Sequence, residues 1–272
     1  MSARASHEGR LAFEKWQGTG NDFVLVEGEA LDADRVRSLC DRRFGVGADG
    51  VLAIGSAAST PSMIVLNADG SRPEMCGNGL RCVAGWLAER GLLLLSTWTT
   101  IATDAGPRAV HVTRGAGGYD VAIRMGRATF QDDLEVAYEG RVLVFRRASM
   151  GNPHGVCFDV GQREFDAIGR SVATSVEGGL NAELVRGEGK RFEVLVWERG
   201  VGPTLACGTG ACAVAAVACR EGRAPFGEPI EILLPGGPLQ IEVEHGTFEV
   251  TLRGPATRVF SGHTHGVEGT EP

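Results

Sequence analysis

Lysine is almost missing from this 272-residue chain: only Lys15 and Lys190 occur, although Lys and Arg together number 27. Lys15 opens an alternating, strand-like run, and Lys190 sits in the polar turn Gly187-Glu188-Gly189-Lys190-Arg191. Neither reads as a buried Schiff-base lysine, so pyridoxal phosphate is not expected. There is no C-x-x-C pair among the seven cysteines (Cys40, Cys76, Cys82, Cys157, Cys207, Cys212, Cys219), and no histidine stands at ligand spacing from them, so a zinc site is not expected. His263 and His265 read as tail residues. No apolar run is long enough to span a bilayer. Residues 1–10 lack the apolar centre of a signal peptide and read as a frayed tail. An odd cysteine count in that setting predicts reduced thiols and a cytoplasmic location. The formal charge of −7 gives no nucleic-acid footprint.

What the chain does have is glycine and a pair of related stretches. The first runs from Asn67 to Cys82 and contains Cys76-Gly77-Asn78-Gly79; the second runs from Trp197 to Cys212 and contains Cys207-Gly208-Thr209-Gly210. Each opens into an apolar run of helical period: Leu80, Val83, Ala84 and Leu87 in one, Cys212, Ala215, Ala216 and Cys219 in the other. Gly91 and Gly222 mark the two stops. A cysteine just ahead of a helix meets unpaired backbone N–H groups and the positive end of the helix dipole, which favour a thiolate.

Around these stretches the order of elements repeats weakly. Strands are expected near 11–16 and 23–26, joined by the turn Gly18-Thr19-Gly20-Asn21-Asp22, where Asn21 and Asp22 either close the turn or face a ligand. A helix is expected over Asp34–Arg43, with Val36, Leu39, Cys40 and Arg43 on one face and Gly45 as its stop. Strands follow near 51–54, 63–66, 99–103, 108–113 and 119–125, and the first half is taken to end at 125. The second half, 126–255, opens with strands near 134–138 and 141–148, then the turn-forming Asn152-Pro153-His154, a helix over 162–171, and strands near 181–185 and 192–196. After the second cysteine helix come strands near 230–234, 239–243 and 248–252, and 256–272 is expected to pack back on residues 11–125. The pattern predicts two α+β domains facing each other across a cleft.

One cysteine before a helix is most simply a small core residue. Two matched ones suggest one site built by two halves. The glycines let backbone come close to a ligand, and the free N–H groups at two helix starts suit a carboxylate. If that carboxylate belongs to an amino acid, both helix ends stabilise the charge that moves onto it when the adjacent Cα–H leaves. One sulfur then takes the proton from one face and the other returns a proton to the opposite face, inverting the centre. A thiol, with an ordinary pKa of about 8.5, can be tuned toward neutrality for either role. Glu198 and Arg199 can pair with an ammonium and clamp a carboxylate, or can simply be a surface pair after a strand.

These residues resemble the diaminopimelate epimerase family. The resemblance is carried in order by residues 18–23, 43–50, 67–71, 76–79, 151–154, 181–183, 198–200 and 206–212, and covers most of the chain. It implies a fold of two similar, pseudo-symmetric α+β domains, each a curved, mostly antiparallel sheet around a central helix, with the active site between them. It implies cofactor- and metal-free interconversion of LL- and meso-diaminopimelate, for lysine and peptidoglycan synthesis, by a homodimer. Cys76 and Cys207 become the acid and base, with Gly77, Asn78, Gly208 and Thr209 cradling the reacting carboxylate. Asn21, Asn67, Asn152, Asn181, Glu198 and Arg199 become substrate contacts, and His154 and Glu198 tune the thiols. The chain departs from the family where Gly50 stands in place of a glutamine that reaches substrate in some members, at Pro73-Glu74-Met75 and Leu80, and at Thr209, where others carry serine. A racemase of another amino acid and a binding module with inert cysteines are the competing readings; Asn78, where proline-racemase-like enzymes favour histidine, speaks against the first.

Overall fold

The computed structural model describes residues 10–264, apart from 29, 58 and 59. The expected tail at 1–10 and His265 therefore lie, Arg10 excepted, outside the described residues. Two successive sets of elements make up the rest. The first is β1 (Leu11–Gly18), β2 (Asn21–Glu27), α1 (Ala33–Cys40), β3 (Gly50–Ala57), β4 (Thr60–Asn67), α2 (Gly77–Glu89), β5 (Trp98–Ile101), β6 (Arg108–Gly115) and β7 (Gly118–Arg127). The second is β8 (Thr129–Phe130), β9 (Leu134–Tyr138), β10 (Arg141–Ser149), β11 (Pro153–Phe158), α3 (Phe165–Ala173) after a single 3-10 turn, β12 (Asn181–Glu188), β13 (Arg191–Glu198), β14 (Gly202–Thr204), α4 (Gly208–Arg220), β15 (Ile230–Leu234), β16 (Gly237–Val243) and β17 (Glu249–Thr264).

The strand pairings of one set repeat in the other. β1 and β2 are antiparallel, as are β10 and β11. The next pairs, β2 with β3 and β11 with β12, are parallel, each crossing over through an outer helix, α1 or α3. β3–β4 matches β12–β13, β5–β6 matches β15–β16, and β6–β7 matches β16–β17, all antiparallel. β17 joins the two sets: it runs antiparallel to β7 over 249–256 and to β1 over 257–264. The mixed, mostly antiparallel α+β architecture agrees with the fold expected from the sequence.

Each set wraps its sheet around one thirteen-residue helix. α2 is buried from Gly77 to Ala88, and α4 at nearly every position to Cys219. A helix apolar on all sides belongs inside a core rather than on its surface. The alanines, valines and cysteines of α4 let strands approach it closely, and both helices share one cluster with the inner faces of the strands. The outer helices seal the other sheet faces: α1 through Val36 and Leu39 against Phe13, Val24 and Val51, and α3 through Ile168 and Val172 against Phe145 and Leu184. The cysteines away from the helix starts are packing residues. Burial pushes Cys40, Cys157 and Cys219 up to about 11 and Cys82 up to about 12.

Several expectations are corrected. α1 stops at Cys40 rather than Arg43, because the Asp41 carboxylate accepts from the Arg43 and Phe44 backbone N–H groups, both at 2.7 Å, and turns the chain outward. Arg43 is consequently exposed and does not share the buried face. His154 lies inside β11, not in a turn. The last strand is far longer than 248–252, and His263 is part of it, paired with Ala12, instead of belonging to a tail. Lys15 is buried: its ammonium pairs with Asp22 at 2.6 Å and donates to the Gly47 carbonyl. Burial opposes ionisation of Asp22, but hydrogen bonds from Arg42 and Lys15 outweigh it and hold that carboxyl at about 2.

Candidate active site

Cys76 and Cys207 are the N-cap residues of α2 and α4. Each has an extended backbone, and each sulfur accepts from the N–H three residues on, Gly79 or Gly210, at 3.4 Å. The sulfur thus takes the place that a serine or aspartate oxygen fills in an ordinary cap. The second glycine of each motif packs closely against a buried side chain. A Cβ at Gly79 would lie 2.9 Å from Leu52 Cδ2, and one at Gly210 would lie 2.6 Å from Glu183 Oε1.

The two helix starts abut. A Cβ at Gly208 would be 3.6 Å from Asn78 Oδ1 and 4.0 Å from Gly77 Cα. A cavity of about 490 Å³ opens over them, and both cysteines line it. Gly77, Asn78, Gly208 and Thr209 line it from two first helical turns, whose N–H groups have no intrahelical carbonyl partners. Asn78 spends both amide hydrogens on Asn21 Oδ1 (3.1 Å) and the Ala206 carbonyl (3.2 Å), while its own Oδ1 is buried without a partner. Its side chain can therefore only accept, which suits an ammonium; a carboxylate must use its backbone N–H.

Asn21, Asn152, Glu198 and Arg199 also line the cavity. Glu198 accepts from Thr204 Oγ1 at 2.6 Å. Burial pushes its carboxyl up, the Thr204 hydroxyl works against this, and nearby Glu183 adds to it. Asn181 lies behind the wall, its Oδ1 accepting from the Arg199 backbone N–H at 2.8 Å. Asn67 does not reach the cavity; it is exposed at the end of β4, where it donates to Ser71 Oγ at 2.9 Å. His154 touches neither sulfur. It is fully buried between Glu183 (2.7 Å) and Asn152 (3.1 Å). A Cβ at Gly50 would sit 2.6 Å from the Leu66 carbonyl oxygen, so no side chain fits there with this strand geometry.

Sequence reasoning overlooked Glu74, Ala105, Arg108 and Met150, which line the cavity, and gave no role to Glu183. Arg108 opens β6 with its Nε buried and unpartnered. Nothing in its alternating run sets it apart. The helix starts favour lowered thiol affinity for protons at both cysteines, and the opposite holds. Burial pushes Cys76 up against the help of the Gly79 N–H, and pushes Cys207 up further, with Glu198 and Glu183 adding to it.

By architecture the protein falls in a class of two-domain α+β folds with known members. Over 97% of this chain it superposes on 94% of a hydroxyproline epimerase from Agrobacterium vitis (TM-score 0.71, 15% identity). Over 94% of the chain it superposes on 99% of a PhzF-family phenazine biosynthesis protein from Bacillus anthracis (TM-score 0.73, 14% identity). At those identities the likeness is one of fold alone. Residues 13–131 and 147–259 match the diaminopimelate epimerase family. Diaminopimelate epimerase of Desulforudis audaxviator is 40% identical over 281 residues, spanning 93% of this chain and 98% of its own length. That of Synechococcus sp. (strain JA-2-3B'a(2-13)) is 39% identical over 285 residues, spanning 94% and 99%. The chain belongs to the diaminopimelate epimerase family, and so to the isomerases.

Proposed function

We propose that this protein interconverts LL- and meso-2,6-diaminopimelate without a cofactor, using Cys76 and Cys207 as paired acid and base. The observation that carries the reading is the meeting of two cysteine-capped helix starts in one cavity also lined by Glu198 and Arg199. The substrate carboxylate lies on the N–H groups of Gly77, Asn78, Gly208 and Thr209. One thiolate removes the Cα proton, the electron pair left behind delocalises into that carboxylate, and the opposite thiol donates its proton to the other face. Afterwards the two sulfurs have exchanged states, so the product of one direction leaves the enzyme ready for the reverse. Arg199, its backbone fixed by Asn181, holds the distal carboxylate with Asn152; Glu198 and Asn78 Oδ1 accept from ammonium groups. The division into 11–125 and 126–255, with 256–272 returning to the first, is supported by the repeated pairings and by the pairing of 257–264 with β1, residues 265–272 lying outside the described ones. A cytoplasmic homodimer without nucleic-acid or membrane partners completes the reading; among the described residues no helix is long and apolar enough to cross a membrane.

In heavy water, chelator-treated protein without additives is expected to place deuterium at Cα of diaminopimelate as the LL form converts to meso. A protein that binds diaminopimelate yet leaves Cα–H untouched is a binding module, and the reading fails.

The raised thiols fix the sign of the pH dependence. A base must be a thiolate, and burial keeps both sulfurs protonated in the free protein through neutral pH. kcat/KM is therefore expected to climb from about pH 6 to about pH 9 with a slope near one. A flat profile over that range would mean that the thiolate is already formed.

A further inference from the structure

A line of hydrogen bonds leads from Cys207 away from the cavity and into the core. Cys207 Sγ lies 3.4 Å from Thr209 Oγ1. Thr209 Oγ1 accepts from Asn152 Nδ2 at 3.3 Å. Asn152 Oδ1 meets His154 Nε2 at 3.1 Å, and His154 Nδ1 meets Glu183 Oε1 at 2.7 Å. His154 and Glu183 are fully buried and do not line the cavity.

The middle of the line fixes the donors. Asn152 Oδ1 can only accept, so His154 Nε2 carries a hydrogen. Asn152 Nδ2 can only donate, so Thr209 accepts there and its own hydrogen is free for the Cys207 sulfur. A hydroxyl donating to sulfur favours the thiolate. Between His154 Nδ1 and Glu183 there is one further proton. Whichever residue holds it, the pair has no net charge: the push that a lone Glu183 carboxylate gives the Cys207 thiol is offset by an imidazolium beside it, or is absent when the carboxyl is protonated.

The fold itself does not require this pair. The repeated pairings give each residue a counterpart. His154 pairs with Asn181 across a parallel ladder as Phe23 pairs with Gly50. Glu183 presses on Gly210 as Leu52 presses on Gly79. One set of elements thus fills the two places with Phe23 and Leu52, both buried, and the other with His154 and Glu183. A buried ionisable pair is commonly no more stable than the hydrocarbon pair that could replace it. At Cys76 the position matching Thr209 is Asn78, whose side chain has no donor left for the sulfur, so only backbone N–H groups support it.

We propose that Glu183 is a positioning residue for Cys207: through His154 and Asn152 it holds the Thr209 hydroxyl as a donor to that sulfur, and Cys76 has no such support. The proposal rests on the two-cysteine reading above, but its test needs no turnover.

The test is the pH dependence of iodoacetamide labelling, with Cys76 and Cys207 separated as peptides by mass spectrometry. In the Glu183→Leu/His154→Phe variant, which copies the apolar pair, the Cys207 profile is expected to move up by about one pH unit, roughly tenfold slower labelling on the rising limb. The Cys76 profile is expected to stay put. Thr209→Val gives the same shift, and adding it to the double variant gives no more. Glu183→Gln can donate to His154 Nδ1 and keep the line intact, so its profile stays near the parent's; Thr209→Ser likewise. A downward shift of Cys207 in the double variant overturns the proposal, because it means that Glu183 acts only by bare charge. An unmoved Cys207, or an equal shift at Cys76, overturns it too. Should the double variant fail to fold, Thr209→Val alone decides: no upward shift at Cys207 refutes the line. Failure of the parent protein to epimerise diaminopimelate would refute the function and leave these labelling results standing.

Discussion

Replacing Cys207 with alanine, or Cys76 with alanine, is expected to slow inversion of diaminopimelate by about 100- to 10,000-fold, the range for loss of a positioned acid or base. The physical reason is that the two sulfurs serve opposite faces of one carbon. With Cys207 gone, Cys76 can still remove and return the Cα proton of whichever stereoisomer presents it on that side. Nothing remains to deliver a proton to the far face. Each single variant should therefore wash solvent deuterium into one stereoisomer with retention, and the two variants should differ in which stereoisomer exchanges. Substrate binding should survive, since the carboxylate is held by backbone N–H groups of α2 and α4 rather than by sulfur. NMR of the recovered amino acid, with chiral separation, reads both exchange and inversion. If either alanine variant inverted at the parental rate, that cysteine would have no part in the proton transfer. Loss of the cap alone would show as a stability change of about 1 kcal/mol, far too small to imitate the expected rate effect.

Gly236→Ala is expected to lower stability by about 2–4 kcal/mol, at the severe end for a single substitution. A Cβ there would lie 1.9 Å from the Thr19 carbonyl oxygen, 2.7 Å from Thr19 C and 3.0 Å from the Leu205 carbonyl oxygen. All three are backbone atoms, so no rotamer change relieves the overlap. The turn after β1 must move away from the turn before β16, and the hydrogen bond from Gly236 N to Leu205 O (2.8 Å) is strained with it. Two nearby contacts would follow. Arg81, buried without a carboxylate partner among the described residues, donates to Thr19 Oγ1 at 2.9 Å. Asn21, two residues on, accepts from Asn78 beside Cys76. The urea midpoint should fall at unchanged m-value, and KM should rise in whatever protein remains folded. Gly246→Ala is the control: it carries only the strain of φ +82° with nothing within 4 Å, and should cost about 1 kcal/mol. Equal midpoints for the two variants would show that the contact between turns does not matter.

The cysteine helices were legible because their signals are local: a capping residue, close-approach glycines, an apolar period and a glycine stop. Asn67 illustrates the reverse. It was placed with the substrate by resemblance, yet its side chain closes its own turn on Ser71. His154 looked like part of a turn because Asn-Pro precedes it, but pairing with β12 draws it into a strand. Arg108 carried no mark in the sequence, since a charged residue at the start of an alternating strand is ordinary; only the walls of the cavity give it a setting. Proton affinity was misjudged for a related reason. A helix start favours a thiolate, but how deeply the sulfur is buried, and which carboxylates lie near it, depend on how the neighbouring strands pack around it, not on the motif itself.

By itself the sequence determined that this is an α+β protein of repeated design with a cysteine before each of two matching helices, because helix caps, periodicity and turns are set by neighbours within a few residues. Tertiary structure alone decided that the two helix starts abut, that β17 stitches the two sets of strands together, and that Glu183 stands behind Cys207 where Leu52 stands behind Cys76. The first two outcomes depend on contacts between residues more than a hundred positions apart, and the third on strand register, which no local signal encodes.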